Sequence, residues 1–576
     1  MKKLLLSAIL CLNVAAAALN AQVKWYDPEE AGFPVVQGQA YVGSEREAFY
    51  HRFPASARSE VRKAVWSLSR QTAGESIRFK TDAEEITVRY AVGRRLAMNH
   101  MPATGVSGID LYSSDRHGRE IVIYGKYTFA DTVSYKYSPL KFDSRDGSHE
   151  YTLFLPLYNE VKWMEIGVND GASFSFIPVD RDKPIVAYGT SICQGACASR
   201  PGMAWTNILQ RRMGRNVLNL GFSGNAYFEK GIVDLIAGID AKVYILDGMP
   251  NSYSLDAESL RDTVSKAVRQ LRAKRPETPI LLVDHLGFPH GKANPTLAKA
   301  EKHAHSVLKE TYGLLADEGI EGLHYLTYDE LAIPQDGFVE GIHASDYGMQ
   351  AYADAYEKKL REILDEPAGK LQSTMPVTQQ RDRYDWKKRH ASILAAGQGK
   401  HFTRVLIGDS ITHFWGGEKD SIVQRGTDSW EMLEGTTFNM GCGYDRTENV
   451  LWRIQHDELD GLTADKIFVL IGTNNISSGD SDEDIVTGIS AILSSILQRR
   501  PEAEITVVGL LPRRDKEARV RVLNKSIRKM SIKTGVRYID PGKKLLEGKD
   551  RIDESMFADG LHPNEAGYMK IFTYFQ

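Results

Sequence analysis

Cysteine is scarce in this chain of 576 residues, which contains four. So few cysteines exclude a small fold held together by many disulfides. Cys193 and Cys197 lie four positions apart, so they either form a bridge or pack as small apolar side chains. No group of histidines and cysteines has the sequence spacing of a metal site, and we therefore expect neither a metal nor another cofactor.

An excess of charge of one sign is also missing, because 72 Lys and Arg face 75 Asp and Glu. This balance argues against a nucleic-acid partner. Long apolar runs are absent except at residues 4–19, which are too few for the ~20 residues of a membrane span. Two lysines precede this run and small residues end it at Ala21. The pattern predicts a secretory signal peptide over residues 1–21, and hence a periplasmic or cell-surface location.

Short runs of alternating polar and apolar residues fill residues 23–180, for example at 76–80, 86–90 and 151–155. Period-two patterning between Gly, Asp and Ser turns predicts an antiparallel β-sandwich. Within this section, Gly108-Ile109-Asp110-Leu111-Tyr112 forms a short box. The box either binds sugar or is a turn and a strand that hold the sandwich together.

After residue 180 the pattern changes to apolar strands that alternate with amphipathic helices, and it runs through the chain twice. Such alternation predicts an α/β fold with a parallel sheet covered on both faces. We expect one domain at residues 181–365, a linker at 366–383 and a second domain at 384–576. The predicted strands are residues 184–188, 243–246 and 280–283 in the first copy and 404–407, 467–471 and 505–508 in the second. Matching helix faces carry Leu260, Val264, Ala267 and Leu271, and Ile485, Ile489, Ile492 and Ile496.

One serine in each copy follows the first predicted strand and stands 152 residues ahead of a histidine. The pairs are Ser191 with His343 and Ser410 with His562. A strand-to-helix turn at the carboxyl edge of a parallel sheet exposes a side chain beside free backbone N–H groups. Because a serine hydroxyl is a weak nucleophile until a base takes its proton, the pairing predicts two acyl-transfer sites.

A carboxylate precedes each histidine by three residues, Glu340 in the first copy and Asp559 in the second. Such an acid can hold the ring nitrogen that faces away from the serine and so select the tautomer. Asp336, seven residues before His343, is a rival to Glu340 for this role.

Donors for a tetrahedral oxyanion are predicted in two further blocks, one of which is a glycine-rich turn after a strand, at residues 219–225 and 439–445. In the first copy the turn supplies Gly224, and in the second it supplies Tyr444 or, failing that, Gly443. Asn474 offers a side-chain amide after the predicted strand 467–471. Counted from the preceding glycine, Asn251 lies one position later than Asn474 and would have to reach further.

These four ordered blocks resemble the SGNH, or GDSL-type, hydrolases, with Ser, Gly, Asn and Asp-x-x-His in that order. The resemblance implies two flavodoxin-like three-layer α/β/α domains and metal-free ester hydrolysis through an acyl-enzyme. It makes Ser410 the nucleophile and first oxyanion donor of the second copy. Residues 384–386 and 449–454 look like the platelet-activating-factor acetylhydrolase branch, and the box at 108–112 resembles one found in sandwich modules ahead of certain esterase domains.

Two such domains in tandem behind a signal peptide also look like bacterial sialate O-acetylesterases. We therefore expect a secreted esterase that removes acetyl groups from carbohydrates, with O-acetylated sialic acid as the preferred candidate. An acetyl xylan or other polysaccharide deacetylase and a lysophospholipase-type esterase are alternatives. A glycan-binding protein with one inactive hydrolase copy is an alternative of another class. The sequence does not indicate an oligomeric state.

Overall fold

The computed structural model describes residues 23–114, 120–141, 149–180, 182–366, 372–379, 385–417, 423–433, 435–548 and 550–576. The predicted signal peptide lies outside these ranges. The chain divides into two compact units, with the boundary between Lys359 and Leu360. Within the described ranges, no helix combines the length and the apolar character that crossing a membrane requires.

Two antiparallel sheets form the first part of the chain, in the orders β1-β10-β4-β8-β7 and β11-β3-β9-β5-β6, with β2 paired to β3. Side chains of both sheets, such as Ile77 and Val88, share one apolar core, so the predicted sandwich is present. The strands are β1 Val23–Tyr26, β2 Val36–Gln37, β3 Ser76–Thr81, β4 Ile86–Val92, β5 Asp110–Ser114, β6 Glu120–Ile123, β7 Lys126–Thr128, β8 Val133–Tyr137, β9 His149–Phe154, β10 Val161–Asn169 and β11 Phe174–Phe176. Short helices span Lys63–Ser69 and Ala103–Val106.

A five-stranded parallel sheet follows, in the order β13-β12-β14-β15-β16. Its strands are β12 Ile185–Gly189, β13 Val217–Gly221, β14 Val243–Asp247, β15 Ile280–Val283 and β16 Leu323–Leu326. Every residue of β12, β13 and β14 is buried, because helices cover both faces of the sheet. The α-helices are Ser191–Gln194, Trp205–Met213, Lys230–Gly238, Met249–Ser252, Ala257–Lys274, Pro295–Asp317, Tyr328–Leu331 and Asp346–Ile363.

The second unit repeats this sheet with the same connections, in the order β18-β17-β19-β20-β21. Its strands are β17 Lys400–Gly408, β18 Thr437–Gly441, β19 Leu462–Leu470, β20 Glu504–Val508 and β21 Arg537–Ile539, and β22 Leu546–Glu547 pairs with β23 Arg551–Ile552. The α-helices are Trp386–Gly397, Ser410–His413, Thr427–Glu431, Thr447–Gln455, Thr473–Ser478, Asp482–Arg499, Glu517–Thr534 and Glu565–Ile571. This strand order is the flavodoxin order, and the predicted fold class is confirmed in both copies.

The matching helices begin and end where their sequences predict. Asp256 caps the helix Ala257–Lys274 and Ser481 caps Asp482–Arg499, each by accepting a backbone N–H with its side chain. Both helices end two residues before a proline. All eight apolar residues that define the predicted faces are buried, so the two copies pack these helices in the same way.

The described part of the predicted linker, residues 372–379, packs against the second hydrolase copy. Thr447 Oγ1 donates to the carbonyl of Ser373 at 3.0 Å, and Asn449 Nδ2 donates to the carbonyl of Val377 at 3.0 Å. This segment is therefore an ordered strap on the second copy. The domain boundaries proposed from the sequence stay predictions.

The box at residues 108–112 joins the sandwich to the first hydrolase copy. Asp110 accepts from Arg200 Nη1 at 2.8 Å and from the backbone N–H of Gly202 at 2.7 Å. The hydroxyl of Tyr112 accepts from the same guanidinium at 2.6 Å. The two apolar side chains of the box, Ile109 and Leu111, lie in the sandwich core, whereas its polar side chains hold the first hydrolase copy. These contacts favour the structural interpretation of the box over the sugar-binding one.

Candidate active sites

Both candidate nucleophiles lie at the carboxyl edge of their sheet, in the first residue of a short helix. Thr190 caps the helix that starts at Ser191, and Asp409 caps the helix that starts at Ser410. Ser191 is 8% exposed and Ser410 is 5% exposed, so only a small part of each residue reaches solvent. The strand order reverses on either side of β12 and β17, which is where ligands bind in open α/β sheets.

In the second copy, Ser410, His562 and Asp559 form a continuous hydrogen-bonded chain. Ser410 Oγ lies 2.8 Å from His562 Nε2, and His562 Nδ1 lies 2.8 Å from Asp559 Oδ2. Asp559 Oδ1 also accepts the backbone N–H of His562 at 2.8 Å. Because both carboxylate oxygens hold the histidine, the ring is fixed with Nε2 toward the serine.

The first copy contains the same arrangement with a glutamate. Ser191 Oγ lies 2.8 Å from His343 Nε2, and His343 Nδ1 contacts Glu340 Oε1. The backbone N–H of His343 donates to the same glutamate oxygen at 3.1 Å. Asp336, the rival from the sequence, lies in the 3-10 helix Gln335–Gly337, and no hydrogen bond joins it to His343 in the described structure. Glu340 therefore occupies the position that Asp559 has in the second copy.

Burial and nearby charges favour the neutral imidazole in the second site. Burial lowers the pKa of His562; Asp559 opposes this effect, while the cations Arg425 and Arg513 reinforce it. Burial acts to raise the pKa of Asp559, but hydrogen bonds from the backbone and ring of His562 outweigh it and lower the pKa. At neutral pH the site thus holds a neutral base beside an ionised carboxylate, as proton abstraction from serine requires.

The glycine-rich turns have the same backbone conformation in the two copies. Gly224 has φ 66° and Tyr444 has φ 65°, so Tyr444 adopts a left-handed conformation that favours glycine. The preceding N–H donates to a side chain in each copy, from Ser223 to Gln194 Oε1 at 3.1 Å and from Gly443 to His413 Nδ1 at 3.2 Å.

Gly443 is therefore not placed to donate to an oxyanion, which corrects its assignment as a reserve donor. Burial lowers the pKa of His413 to about 3, so its ring is neutral and its Nδ1 can accept this N–H. The equivalent of Gly224 is Tyr444.

The candidate asparagines are equivalent once the strands are aligned. Asp247 pairs with Gly189 in the first sheet, as Leu470 pairs with Gly408 in the second. Asn251 and Asn474 each lie four residues beyond that strand end, so the displacement inferred from the sequence is wrong. The preceding glycine stands at a different position in the two loops, since Gly248 lies one residue beyond its strand end and Gly472 lies two residues beyond.

Each asparagine contacts the glycine-rich turn of its own copy. Asn251 Oδ1 accepts the N–H of Ala226 at 3.1 Å, and Asn474 Nδ2 donates to the carbonyl of Asp445 at 3.0 Å. Asn474 keeps one amide N–H beyond this bond and Asn251 keeps both. Either side chain can therefore still donate to an oxyanion.

One arginine in each copy holds the end of the strand that leads into the turn. Arg52 Nη1, from the sandwich, donates to the carbonyls of Asn219 at 2.7 Å and Gly221 at 3.1 Å. In the second copy, Arg389 donates to the equivalent carbonyls of Asn439 at 2.7 Å and Gly441 at 3.4 Å. The same support thus comes from the sandwich in one copy and from the helix Trp386–Gly397 in the other. Sequence reasoning missed both arginines.

The sandwich also contributes side chains around Ser191. Tyr158 donates its hydroxyl to the Ser191 carbonyl at 3.1 Å, and Gln194 Nε2 donates to the carbonyl of Leu157 at 3.2 Å. The ring of His100 stacks on that of His343, with centroids 5.8 Å apart. No local sequence pattern marks these residues, since each belongs to a loop whose partner lies far along the chain.

The thiols near the first site are free, so the predicted packing role of Cys193 and Cys197 is correct and the bridge is not formed. Cys193 lies in the core and Cys197 is 5% exposed. A ligand nitrogen of His100, the Cys197 sulfur and a ligand nitrogen of His343 all lie within 4.8 Å of one another. Sequence spacing does not reveal this cluster, because its members are far apart along the chain.

Two arginines flank His562 in the second site. Arg425 Nη1 lies 3.4 Å from Asp559 Oδ2. Arg513 Nη1 donates to the carbonyl of Thr473 at 2.9 Å, next to Asn474. Both guanidinium groups lower the pKa of His562.

Comparison with protein families identifies three segments. Residues 182–361 and 406–570 each match a GDSL-like Lipase/Acylhydrolase family, and residues 23–174 match the N-terminal module of SGNH-hydrolase-type esterases that is named GxDLY. The first two matches coincide with the two parallel sheets and contain both serine–histidine pairs. The third contains the sandwich and the box at residues 108–112.

Individual relatives agree with these matches. The chain is 29% identical over 195 residues to platelet-activating factor acetylhydrolase IB subunit alpha1 of Bos taurus, covering 32% of this chain and 78% of the relative. The alpha2 subunit of Homo sapiens is 29% identical over 193 residues, covering 32% of this chain and 80% of the relative. A crystal structure from Bacteroides ovatus, described as a GDSL-like lipase, superposes with a TM-score of 0.55 at 29% identity over 60% of this chain and 98% of that one. The protein belongs to the SGNH, or GDSL-type, hydrolases, as an esterase or acylhydrolase with two such domains in tandem.

Proposed function

We propose that this protein is a secreted carbohydrate O-acetylesterase that works through an acyl-enzyme at both sites, with O-acetylated sialic acids as its preferred substrates. The observation that carries the esterase chemistry is the serine-to-histidine distance of 2.8 Å in each copy. The preference for an anionic sugar rests on two cations, Arg425 at 3.4 Å from Asp559 and Arg513 at 2.9 Å from the carbonyl of Thr473, next to Asn474.

The reaction begins when the serine oxygen attacks the acetyl carbonyl and its proton passes to Nε2 of the histidine. Asp559 or Glu340 stabilises the imidazolium that forms. The oxyanion accepts hydrogen bonds from the backbone N–H of the serine, the N–H of Tyr444 or Gly224, and the amide of Asn474 or Asn251. The ester C–O bond then breaks as the imidazolium protonates the departing sugar oxygen, which releases the sugar alcohol. The histidine next takes a proton from water as the water attacks the acyl-enzyme, and it returns that proton to the serine oxygen as acetate leaves.

A small acyl group fits the burial of the nucleophiles. Both serines are more than nine-tenths buried, so a short acetyl group can reach them more easily than a long chain. In the second site, the two guanidinium groups favour a substrate that carries a negative charge near the ester. The carboxylate of a sialic acid supplies such a charge, whereas acetylated xylan is neutral.

A lysophospholipase-type esterase is the second candidate, and the platelet-activating factor acetylhydrolase relatives favour it. A phospholipid also presents a negative group, its phosphate, to the arginine pair. The two candidates differ in the rest of the substrate, since the lipid requires an apolar surface beside the pocket.

The test measures acetate release by the Ser191→Ala, Ser410→Ala and doubly substituted enzymes. Substrates are O-acetylated sialic acid, acetylated xylan, a short-chain phospholipid with an acetyl ester and p-nitrophenyl acetate. Ser392→Ala is the matched control, because Ser392 is partly buried on a helix and its hydroxyl donates to the carbonyl of Lys388 at 3.0 Å. We expect loss of all hydrolysis in the double variant and the highest kcat/KM on acetylated sialic acid.

Several outcomes would contradict the proposal. Full activity in the double variant would exclude serine catalysis. A higher kcat/KM on acetylated xylan or on the phospholipid than on acetylated sialic acid would show that sialic acid is not the preferred substrate. Unchanged hydrolysis in Ser191→Ala, with glycan binding retained, would show that the first copy only binds ligand.

A further inference from the structure

We propose that His100, Cys197 and His343 form a binding site for a thiophilic divalent cation such as Zn²⁺, and that occupation of this site switches off the first active site. Two imidazole nitrogens and one thiol form a donor set that zinc prefers. Their ligand atoms already lie within 4.8 Å of one another.

Only small movements separate this arrangement from a coordinated one. Zinc bonds of about 2.0–2.3 Å place tetrahedral ligands roughly 3.5 Å apart, so the donors must approach by about 1 Å. His100 is exposed and its ring can rotate, whereas Cys197 is buried. The Cys197 sulfur is already held against the carbonyl of His100, at 3.4 Å, so both donors share one local framework.

Coordination of His343 is incompatible with its proposed role as a base. Its Nε2 faces Ser191 and its Nδ1 faces Glu340. A metal bound to either nitrogen breaks one of these contacts. The thiol of Cys197 gives up one proton as it coordinates, and the remaining position of the tetrahedron is left for water. The bound site therefore holds a histidine that cannot accept the serine proton.

The second active site provides an internal control. The position equivalent to Cys197, three residues beyond the helix that starts at Ser410, is Gly416, and the ring packed beside His562 is that of Phe414. Within the described ranges, the cluster around His343 is the one group with three such donors. The same cation should thus leave the second site active.

The experiment separates metal binding from catalysis. Full-length protein is titrated with Co²⁺, and we expect thiolate-to-cobalt absorption in the near ultraviolet. This absorption should be lost in Cys197→Ser and kept in Cys193→Ser, whose sulfur bonds the carbonyl of Ala187 instead. Absence of this absorption, or its persistence in Cys197→Ser, would overturn the site, whatever the enzyme hydrolyses.

The consequence for activity is measured with p-nitrophenyl acetate and Zn²⁺. In the Ser410→Ala enzyme, which retains only the first site, we expect at least about tenfold inhibition that a chelator reverses. Cys197→Ser or His100→Ala in that background should raise the half-inhibitory concentration at least about tenfold. The Ser191→Ala enzyme, which retains only the second site, should stay active. Equal inhibition of both single-site enzymes, or stimulation of the Ser410→Ala enzyme by Zn²⁺, would overturn the switch. A Ser410→Ala enzyme that is inactive without metal would contradict the proposed two-site function. The cobalt titration would still test the cation site in that case.

Discussion

Tyr444 lies in the same left-handed backbone conformation as Gly224, with φ 65° against 66°, although a tyrosine is disfavoured there. The conformation points the N–H of this residue in the same direction in both copies. The turn thus keeps its geometry and tolerates a side chain, which is 38% exposed and extends away from the core.

Replacing Tyr444 by glycine should therefore leave esterase activity nearly unchanged. The left-handed conformation costs about 1–2 kcal/mol for a residue with a Cβ, against about 0.5–1 kcal/mol of extra chain entropy for glycine. We expect the free energy of unfolding of the second unit to rise by roughly 0.5–1 kcal/mol, as measured by urea denaturation. Activity is measured with Tyr444→Gly placed in the Ser191→Ala enzyme, so that only the second site contributes. A tenfold or larger fall in kcat relative to the Ser191→Ala enzyme would instead show that the phenol ring takes part in the reaction.

The arginine beside the second triad should set the acid limb of its pH profile. His562 must be neutral to accept the serine proton, so activity is lost as pH falls through its pKa. Arg425 is one of the cations that lower this pKa. Arg425→Gln should thus raise the pKa and move the acid limb of kcat/KM to higher pH.

The measurement uses the Ser191→Ala background with an uncharged ester, so that substrate recognition by Arg425 does not contribute. Arg537→Gln is the control, because its exposed guanidinium pairs with Glu504 and is not among the charges that shift the pKa of His562. A limb that moves to lower pH, or does not move, would contradict the assignment.

Arg52 and Arg389 should act as positioning residues, each for its own site. Arg52→Gln leaves the carbonyls of Asn219 and Gly221 without their charged donor and should cost about 3 kcal/mol of stability. Because the turn that carries Gly224 then loosens, kcat at the first site should fall more than KM changes. Arg52→Lys, which keeps the charge, should recover part of the loss.

The test pairs Arg52→Gln in the Ser410→Ala background with Arg389→Gln in the Ser191→Ala background. Each substitution is also placed in the opposite background. Loss of activity at the site that the arginine does not contact would show a general folding defect and contradict the positioning role.

The sequence predicts both triads because serine, histidine and acid belong to short local motifs that recur at the same distance. Strand 280–283 coincides with β15, since a run of four buried apolar residues between polar turns has few alternatives. The support from Arg52, Tyr158 and His100 was not predicted, because these contacts depend on how the sandwich docks on the first hydrolase copy. Periodicity describes one element at a time and carries no information on docking.

Two detailed errors have a related cause. The glycine before Asn251 is not a valid reference point, because strand pairing decides which residues are equivalent. Gly443 was considered a donor by residue type, but the neutral ring of His413 takes its N–H. Both outcomes depend on three-dimensional partners that lie tens of residues away.

Asp247 should make the first unit less stable at high pH. Burial raises its pKa to about 8, while a hydrogen bond from Tyr356 at 2.9 Å opposes the shift. Its folded pKa is above the unfolded value, so the stability it contributes is complete below about pH 4 and is lost as pH rises through about 8. Asp247→Asn removes the titration, and its stability advantage over the natural protein should grow by several kcal/mol between pH 5 and pH 9.

Urea denaturation of both proteins across this pH range measures the difference directly. Other titrating groups cancel because they are common to the two proteins. The second copy has Leu470 at the equivalent position, so its unfolding should not show this difference. A constant difference between pH 5 and pH 9 would show that Asp247 does not titrate in this range.

Asp110 offers a test of what the box at residues 108–112 does. Its carboxylate is buried and accepts from Arg200 and from the backbone of Gly202, so Asp110→Ala leaves the partly buried guanidinium of Arg200 with the hydroxyl of Tyr112 but without a negative partner. Breaking a fully buried ion pair typically costs about 3–5 kcal/mol, and we expect the lower end of that range here because Arg200 keeps the bond to Tyr112. We expect a corresponding fall in the stability of the first unit and faster proteolysis between residues 174 and 184.

Glu120→Gln is a control, because its bond to Arg211 is exposed and exposed ion pairs contribute about 0–1 kcal/mol. Glycan binding is measured by titration calorimetry. If Asp110→Ala abolished glycan binding and left stability unchanged, the box would be a sugar site, because removing a side chain that only joins two domains should lower stability.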